Sequence, residues 1–296
     1  MPPLTEVEGR RLPLTRLDKV LYPATGTTKG EVLHYCAETA GPLLAHLRDR
    51  PVSFLRYPDG PDGQRFFTKN VPPGAPDWVQ TADVPRSRER TACQVLVQDL
   101  ATLMWAANLV VEFHTPQWQA QHPARADRLV FDLDPGPGAT VVDCCTVACW
   151  LRERLSDDGL TAYAKTSGSK GLHLLVPLER TPSDEVSAYA KGLAIEAEAA
   201  LPELALHRMA RALRPGKVFV DHSQNAAAKT TATPYTVRAR PEPTVSAPVT
   251  WKEVEGCTDP AELVFLIGDI GPRLKKHGDL LAPLVDLEGA RRLPGS

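Results

Sequence analysis

The apolar and polar positions in the first part of the chain follow periods typical of helices and strands. Thr28-Lys29-Gly30-Glu31 fits a capping box and predicts a helix that continues toward Leu47. Further on, Asp99 is placed to cap a buried helix. The other elements predicted in this part are strands at 50–57 and 95–97, and the helix capped by Asp99 at 100–110.

The middle of the chain contains an apolar strand at 128–134 that ends in Pro135-Gly136-Pro137-Gly138, where neither a strand nor a helix can continue. A polar loop, Ser167-Gly168-Ser169-Lys170-Gly171, joins two further strands, and Ser183 is predicted to cap a helix with one apolar face. The remaining predicted elements are a helix at 140–155 and strands at 162–166, 172–177, 217–221 and 235–240. Because strands and helices do not strictly alternate, the pattern favours an α+β fold over a doubly wound parallel sheet.

Composition narrows the class of protein without indicating a function. The chain has 296 residues, enough for one large or two ordinary domains with a substantial core. The longest apolar run, 101–111, is far shorter than the roughly 20 residues of a membrane span, and 1–18 lacks the apolar stretch of a signal peptide. The formal net charge of -2 gives no electrostatic indication of a nucleic-acid partner.

The cysteines show neither a C-x-x-C pair nor the spacing of a disulfide framework. They are Cys36, Cys93, Cys144, Cys145, Cys149 and Cys257. We expect reduced thiols in a cytoplasmic protein. A zinc site built from Cys144, Cys145 and Cys149 is the less favoured alternative, because these residues lie in an apolar helical pattern without a nearby histidine.

Two carboxylates mark the end of the strand at 128–134. Asp132 and Asp134 are two residues apart, so their side chains share one face of the strand, with Cβ atoms about 7 Å apart. Two like charges at the end of a buried strand require a cation, and carboxylate oxygens suit Mg²⁺ or Mn²⁺. Asp221 ends another apolar strand and is a candidate third ligand. The alternative, that the pair only forms a turn before Pro-Gly, is about equally consistent with these residues alone.

The loop from Ser167 to Gly171 is a candidate phosphate-binding site. Its glycines allow backbone N–H groups to approach an anion, its hydroxyls donate, and Lys170 supplies charge. It lacks the pattern of a P-loop, and most such loops are simple turns. His173 follows two residues later and, taken alone, is more typical of a structural histidine.

In this order, these segments resemble the three motifs of the polymerase domain of bacterial DNA ligase D, which belongs to the archaeo-eukaryotic primase superfamily. The resemblance covers roughly residues 12–255 and is strong because many short matches occur in one order. Its central motifs are Phe131-Asp132-Leu133-Asp134-Pro135, Lys165-Thr166-Ser167-Gly168-Ser169-Lys170-Gly171-Leu172-His173 and Gly216-Lys217-Val218-Phe219-Val220-Asp221.

The resemblance implies an α+β fold with a primase-like core, in which mainly antiparallel sheets and flanking helices surround a catalytic cleft. It implies one polymerase domain over 1–296, with a part that binds DNA ends at 1–110, a catalytic core at 111–255 and a C-terminal tail at 256–296. The implied activity is template-directed nucleotidyl transfer that favours ribonucleotides and fills gaps during bacterial non-homologous end joining. The implied partners are DNA ends with a 5′-phosphate, nucleoside triphosphates, and a Ku-like protein and a separate ATP-dependent ligase, but no membrane.

The resemblance also assigns roles to individual residues. Two Mn²⁺ or Mg²⁺ ions would be held by Asp132, Asp134 and Asp221. The residues implied to bind the nucleotide are His114, Ser167, Lys170, His173, Arg214, Gln224 and Arg238. Those implied to bind DNA are Lys19, Lys29, Phe66, Phe67, Lys69 and Arg240. For Lys29 the physical interpretation agrees, because the N-terminus of a capped helix offers backbone N–H groups to an anion. Strand alternation would turn one of the two phenylalanines outward, and we expect this to be Phe67.

The chain departs from the family pattern at a few positions. His222 and Ser223 stand where the family usually has an aromatic and an aliphatic residue, and Thr68 replaces a longer polar residue. Neither change affects a proposed metal ligand, so we expect activity to be intact, and any effect of these changes would be on nucleotide preference. The chain has no K-x-D-G adenylation motif, which suggests a stand-alone polymerase or an excised domain.

Two other functions remain as alternatives. A haloacid-dehalogenase-type phosphatase also begins with a strand followed by D-x-D, but here the second aspartate is followed by Pro135-Gly136, and the surroundings lack a parallel βαβ pattern. A catalytically idle module that bridges DNA ends would retain Lys19 and Lys29 but would not need the three acids. The three acids therefore favour an enzyme.

Overall fold

The computed structural model describes residues 4–87 and 90–294. The strands are β1 (Leu4–Val7), β2 (Arg10–Pro13), β3 (Val20–Tyr22), β4 (Thr27–Thr28), β5 (Pro51–Arg56), β6 (Phe66–Thr68), β7 (Thr81–Ser87), β8 (Arg90–Leu96), β9 (Val111–Thr115), β10 (Arg125–Pro135), β11 (Tyr163–Thr166), β12 (Leu172–Pro182), β13 (Ala205–Leu206), β14 (Val218–Asp221), β15 (Thr231–Ala232) and β16 (Pro248–Val249). The α-helices are α1 (Lys29–Glu38), α2 (Ala40–Leu47), α3 (Leu100–Asn108), α4 (Val141–Asp157), α5 (Ser183–Ala200), α6 (Trp251–Gly256), α7 (Ile267–His277) and α8 (Pro283–Asp286). Short 3₁₀ turns occupy Arg211–Leu213, His222–Asn225 and Pro260–Leu263.

The chain forms two compact units. The first contains Met1–Thr115, Ala232–Ser246 and Phe265–Gly278, and the second contains Pro116–Thr231, Ala247–Val264 and Asp279–Ser296. These bounds cross those that the resemblance implied, so the assignment of 1–110, 111–255 and 256–296 to separate roles stays a prediction.

The first unit is built on a sheet in which β5 is central. β5 pairs antiparallel with β8, β9 and β6, and β7 extends the sheet beyond β8. Phe54 on β5 packs edge-on against Phe113 of β9 and Trp105 of α3. Asp99 caps α3, as predicted, by accepting a hydrogen bond from the Thr102 backbone N–H.

The second unit is built on a sheet with the strand order β13-β14-β10-β12-β11-β16. All of its pairs are antiparallel except β13 with β14. β10 is the long central strand, and α4 and α5 pack against it. On the face of β10 that carries the acids, Val130 packs with Leu175 of β12 and with Leu281 and Leu284 near α8.

The predicted α+β class, with mainly antiparallel sheets and flanking helices, is confirmed. Among the helices of the described residues, none is long and apolar enough to cross a membrane. The six cysteines are free thiols, as predicted.

Three local predictions were wrong. The helix that begins at Thr28 stops at Glu38 and α2 begins at Ala40, because Pro42 cannot donate a hydrogen bond to the carbonyl four residues earlier. Ser183 is the first residue of α5 and not its cap, because its N–H donates to the carbonyl of Ala124 at 2.9 Å. The segment 235–240 is not a strand, because Tyr235 adopts a left-handed φ of 67°.

Candidate functional site

The register of the second sheet places the candidate acids side by side. Asp132 on β10 lies directly opposite Asp221 on β14 and, on its other side, directly opposite His173 on β12. Residues directly opposite each other on neighbouring strands project from the same face. Asp134 projects from that face as well, because it is two residues further along β10. Three carboxylates and one imidazole therefore share one patch of the sheet.

His173 lies beside one of these carboxylates. Its side chain is buried, and its Nε2 lies 3.1 Å from Oδ1 of Asp132. A histidine at this position fixes the orientation of the carboxylate and places a polar hydrogen-bonding group beside it. The sequence, taken alone, favoured a structural role for His173. In the structure this histidine contacts a candidate metal ligand.

Asp221 is held differently from Asp132. Its Oδ1 accepts from the Ser223 N–H at 2.9 Å and its Oδ2 accepts from Nε2 of Gln224 at 2.8 Å, so the carboxylate caps the turn His222–Asn225. Within residues 4–87 and 90–294, no three His, Cys, Asp or Glu side chains are gathered closely enough to hold a metal ion as they stand. Asp132 and Asp134 fit a hard cation by donor type and by shared face, and Asp221 retains lone pairs for one.

Asn225 ties the turn after β14 to the central strand. Its Oδ1 accepts from the N–H of Val130 at 2.9 Å, and its Nδ2 donates to the carbonyl of Val130 at 2.8 Å. The side-chain amide thereby continues the hydrogen-bond ladder of β10 beyond the end of β14. This fixes the backbone two residues before Asp132.

The candidate phosphate loop lies against the same end of β10. A Cβ atom built on Gly171 would collide with the carbonyl oxygen of Leu133, which lies between the two aspartates in sequence, so only glycine allows this approach. Inside the loop, Oγ of Ser167 accepts from the N–H groups of Ser169 and Gly171, both at 3.1 Å. Those two N–H groups are therefore used within the loop, contrary to the expectation that they face an anion. Lys170 is exposed at the tip.

A second glycine brings the loop of Arg214 to the end of β10. A Cβ atom on Gly136 would collide with the carbonyl oxygen of Arg214, and the Gly136 N–H donates to the carbonyl of Lys217 at 2.8 Å. The guanidinium of Arg214 lies 3.9 Å above the ring of Phe219 on β14. The segments that carry Ser167, Arg214 and Gln224 thus converge on the end of β10.

In the first unit, the candidate nucleotide residues His114 and Arg238 share one carboxylate. Nε2 of His114 lies 3.0 Å and Nε of Arg238 lies 2.8 Å from Oε2 of Glu112. Oε1 of Glu112 accepts from the N–H of Ala239 at 2.9 Å. Burial alone would raise the pKa of Glu112, but the hydrogen bond from His114 and the charge of Arg238 outweigh burial and lower the pKa to about 2. Glu112 is therefore ionised at neutral pH.

Lys19 and Lys29 lie close together at the start of α1. Nζ of Lys19 donates to the carbonyl of Pro58 at 2.7 Å and to Oδ1 of Asp59 at 2.6 Å, and Nζ of Lys29 donates to the carbonyl of Thr15 at 2.8 Å. Burial, followed by the charges of Arg16 and Lys19, lowers the pKa of Lys29 to about 8. Three cations are thus crowded at one place, which favours an anion.

The backbone contribution expected at this helix start is absent from the first two positions. The N–H of Lys29 donates to the carbonyl of Lys19 and that of Gly30 to the carbonyl of Leu17, both at 2.8 Å. The predicted capping box is confirmed, and in it the N–H of Glu31 is taken by Thr28. An anion at this position would accordingly meet the ammonium groups and not these backbone donors.

Both phenylalanines of β6 are exposed, Phe66 at 41% and Phe67 at 55%. The expectation that one would be a core residue was wrong, because β6 is a three-residue strand paired with β5 alone and neither ring is covered. Phe67, the one expected to face outward, is the more exposed. Lys69 follows β6 and is half-buried. Arg240 is half-buried, and burial, followed by the charge of Arg238, lowers its pKa.

Sequence reasoning overlooked Glu112, Tyr57 and Arg65. Tyr57 is close enough to Glu112 for that carboxylate to raise the pKa of Tyr57, after the larger effect of burial, and the guanidinium of Arg65 lies 5.7 Å from the ring centroid of Tyr57. One signal was available, because Glu112 precedes His114 by two residues and so shares its face of the strand. Arg65 and Tyr57 carry no comparable signal, since they join this cluster through tertiary folding.

Comparison with known proteins identifies a family whose members this chain resembles in sequence. The profile of the LigD primase-polymerase domain matches residues 28–281. The multifunctional non-homologous end joining protein LigD of Mycolicibacterium smegmatis is 42% identical over 93% of this chain and 36% of its own length. The bifunctional LigD of Bacillus subtilis is 35% identical over 90% of this chain and 43% of its own length. The chain thus spans well under half the length of these relatives.

A solved structure agrees with the sequence comparison. The polymerase domain of Mycobacterium tuberculosis ligase D in complex with DNA superimposes with a TM-score of 0.88 and 42% sequence identity, over 93% of this chain and 98% of that one. The chain therefore belongs to the LigD primase-polymerase domain family, whose members are nucleotidyltransferases.

Proposed function

We propose that this chain transfers nucleotides from nucleoside triphosphates to a primer 3′-hydroxyl under the direction of a template, with a preference for ribonucleotides, at DNA ends during non-homologous end joining. The observation that carries the proposal is the register that sets Asp132 between Asp221 and His173. The M. tuberculosis relative is described in complex with DNA, which supports DNA as the substrate.

Asp132 and Asp134 would hold divalent ions, Mn²⁺ or Mg²⁺, and Asp221 would join them by releasing Gln224. Two such ions supply the charge that favours an ionised 3′-hydroxyl and neutralises the phosphate oxygens. His173 keeps the Asp132 carboxylate oriented through its Nε2. Asn225 holds the strand at Val130, so the two acids of β10 are positioned before any substrate arrives.

Each unit carries residues that we propose for binding the triphosphate. In the second unit these are Ser167, Lys170, Arg214 and Gln224. The segments that carry them converge on the end of β10. In the first unit they are His114 and Arg238, which share Glu112. The positive charges of Lys170, Arg214 and Arg238 suit a polyanionic substrate.

The DNA end would be bound by the first unit. Lys19 and Lys29 would contact the 5′-phosphate, and the exposed rings of Phe66 and Phe67 would stack on bases. Lys69 and Arg240 would contact the sugar-phosphate backbone of the DNA. Asp59 is exposed, so phosphate can replace it on Lys19 at little cost. Sealing the filled end is a separate reaction, for which we propose a Ku-like protein and an ATP-dependent ligase as partners.

The activity is tested by incubating the chain with a gapped, 5′-phosphorylated duplex, one ribonucleoside triphosphate and Mn²⁺. We expect primers extended by one nucleotide and release of pyrophosphate, with both products abolished by a chelator. Binding to the duplex without extension would instead indicate an idle end-bridging module. Release of inorganic phosphate without extension would indicate a phosphatase.

We expect Lys19→Ala and Lys29→Ala to weaken binding to a 5′-phosphorylated recessed end by about tenfold each, while affinity for the unphosphorylated end changes little, because each removes one phosphate contact. Fluorescence anisotropy with the two duplexes measures this. Lys276→Ala, which removes an exposed cation from α7 in the same unit, is the matched control and should leave both affinities unchanged. Equal losses on both duplexes would exclude a specific 5′-phosphate role.

The pKa of about 8 at Lys29 gives a second expectation. Lys29 is cationic below this value and neutral above it, so the preference for the phosphorylated end should decline between pH 7 and pH 9. The ratio of the two affinities, measured at both pH values, isolates this effect from general changes in DNA binding. A ratio that stays constant in the wild type, or that declines equally in Lys29→Ala, would rule out Lys29 as the titrating contact.

A further inference from the structure

Glu112 lies at the centre of a cluster of cations in the first unit. Oε2 of Glu112 lies 3.0 Å from Nε2 of His114 and 2.8 Å from Nε of Arg238. Around this carboxylate, Arg65 and Arg238 are both close enough to Arg240 to influence it electrostatically. The cluster is therefore positive overall, with Glu112 as its internal anion.

The exposure of these side chains separates their roles. The side chains of His114 and Arg238 are 14% and 12% exposed, whereas that of Glu112 is 2% exposed. A ligand can reach the side chains of His114 and Arg238 but not the carboxylate beneath them. The carboxylate is further occupied by the Ala239 N–H, which donates to its Oε1 at 2.9 Å. Glu112 consequently acts on a ligand through the groups it holds.

Stability alone is a weak reason for this arrangement. Taking a carboxylate and a guanidinium out of water costs about as much free energy as their attraction returns, and apolar replacements of buried ion pairs are often neutral or stabilising. What the carboxylate does provide is orientation, because two hydrogen bonds to one oxygen fix both the ring of His114 and the guanidinium of Arg238. Such preorganisation lowers the entropy cost of binding a polyanion.

We propose that Glu112 is a positioning residue for the nucleoside triphosphate, which it serves by holding His114 and Arg238 in their binding orientation. This inference rests on the proposed function, in which His114 and Arg238 contact that substrate. Glu112→Gln keeps the size of the side chain and removes its charge, so it loosens the hold on His114 and Arg238 without opening a cavity.

The test is steady-state single-nucleotide incorporation, with KM for the nucleoside triphosphate and kcat measured separately. For Glu112→Gln we expect KM to rise about tenfold and kcat to change less than about threefold, because ground-state positioning is lost while the metal-binding acids are intact. Asp99→Asn is the matched control, because it removes an ion pair with Arg10 in the same unit. It should lower the melting temperature without changing KM.

A double-mutant cycle separates positioning from general destabilisation. If Glu112 acts through Arg238, Glu112→Gln should add less than about twofold to the KM of Arg238→Ala, because coupled residues are not additive. Tyr57→Phe offers a milder second variant, which removes a hydroxyl dipole near the carboxylate, and we expect its KM to rise about twofold to threefold. An unchanged KM in Glu112→Gln, or a fully additive cycle, would overturn the proposal.

Failure of the proposed function would give results that differ from failure of the role proposed for Glu112. In that case the wild type would show no incorporation, or Asp132→Asn would be as active as the wild type. A wild type that incorporates nucleotides, together with a Glu112→Gln variant of unchanged KM, would refute only the role of Glu112 and leave the proposed function standing.

Discussion

Asp132→Asn is expected to reduce nucleotide incorporation by about 10³-fold or more, because it removes one of the two carboxylates on β10 that we propose as ligands of the divalent ions. Asparagine retains the size of the side chain and an oxygen to face His173, so the sheet should be preserved. A radiolabelled or fluorescent primer, extended by one nucleotide under single-turnover conditions, measures the rate. The melting temperature should change by only a few degrees, since the variant relieves repulsion from Asp221 directly opposite.

Asp184→Asn is the matched control for this change. Asp184 lies in the first turn of α5 in the same unit and is exposed. The control removes the same charge and should leave the rate within about twofold, as expected of a surface site. A rate within tenfold of the wild type in Asp132→Asn would contradict the assignment of Asp132 as a metal ligand.

Gly171→Ala is expected to have the second largest effect, a loss of incorporation of about 10²-fold, since small displacements of positioning groups are this costly. The added Cβ would collide with the carbonyl oxygen of Leu133, so the loop from Ser167 to Gly171 must move away from the two acids. The backbone carbonyl cannot yield as a flexible side chain would. We expect a rise in KM for the nucleoside triphosphate together with a lower kcat, and a lower melting temperature.

Gly192→Ala is the matched control, and we expect it to change stability in the opposite direction. Gly192 lies inside α5, and a Cβ there would meet nothing within 4 Å. Alanine in a helix interior is favoured over glycine by roughly 0.5–1 kcal/mol, so this variant should be slightly more stable and fully active. If Gly171→Ala were also as active as the wild type, the close approach of the loop to β10 would have no functional importance.

The sequence predicted the elements whose cause is local. The capping box at Thr28, the cap at Asp99 and the apolar strand before Asp132 each depend on residues within a few positions, and each is present in the structure. Two of the three errors arose where distant residues decide, whereas the break before Pro42 had a local cause that was overlooked. The left-handed Tyr235 is an example, because its carbonyl accepts a hydrogen bond from the Tyr35 hydroxyl at 2.7 Å, 200 positions away in sequence.

The candidate site also contains parts that local sequence predicts and parts that depend on distant residues. The spacing of Asp132 and Asp134 on a strand placed both on one face without reference to the rest of the chain. The register that sets Asp221 and His173 on either side of Asp132 depends on three strands that are not adjacent in sequence. For the same reason the role of Glu112 was not apparent, since its partner Arg238 is 126 positions away.

Template direction is the central property to measure. Four gapped, 5′-phosphorylated duplexes that differ in one template base would each be offered the four ribonucleoside triphosphates singly, with Mn²⁺, using the wild type and Asp132→Asn. We expect the wild type to add the complementary nucleotide preferentially on every template, and Asp132→Asn to add none at a comparable rate. Incorporation that ignores the template base, or that survives the loss of Asp132, would contradict a template-directed polymerase centred on β10.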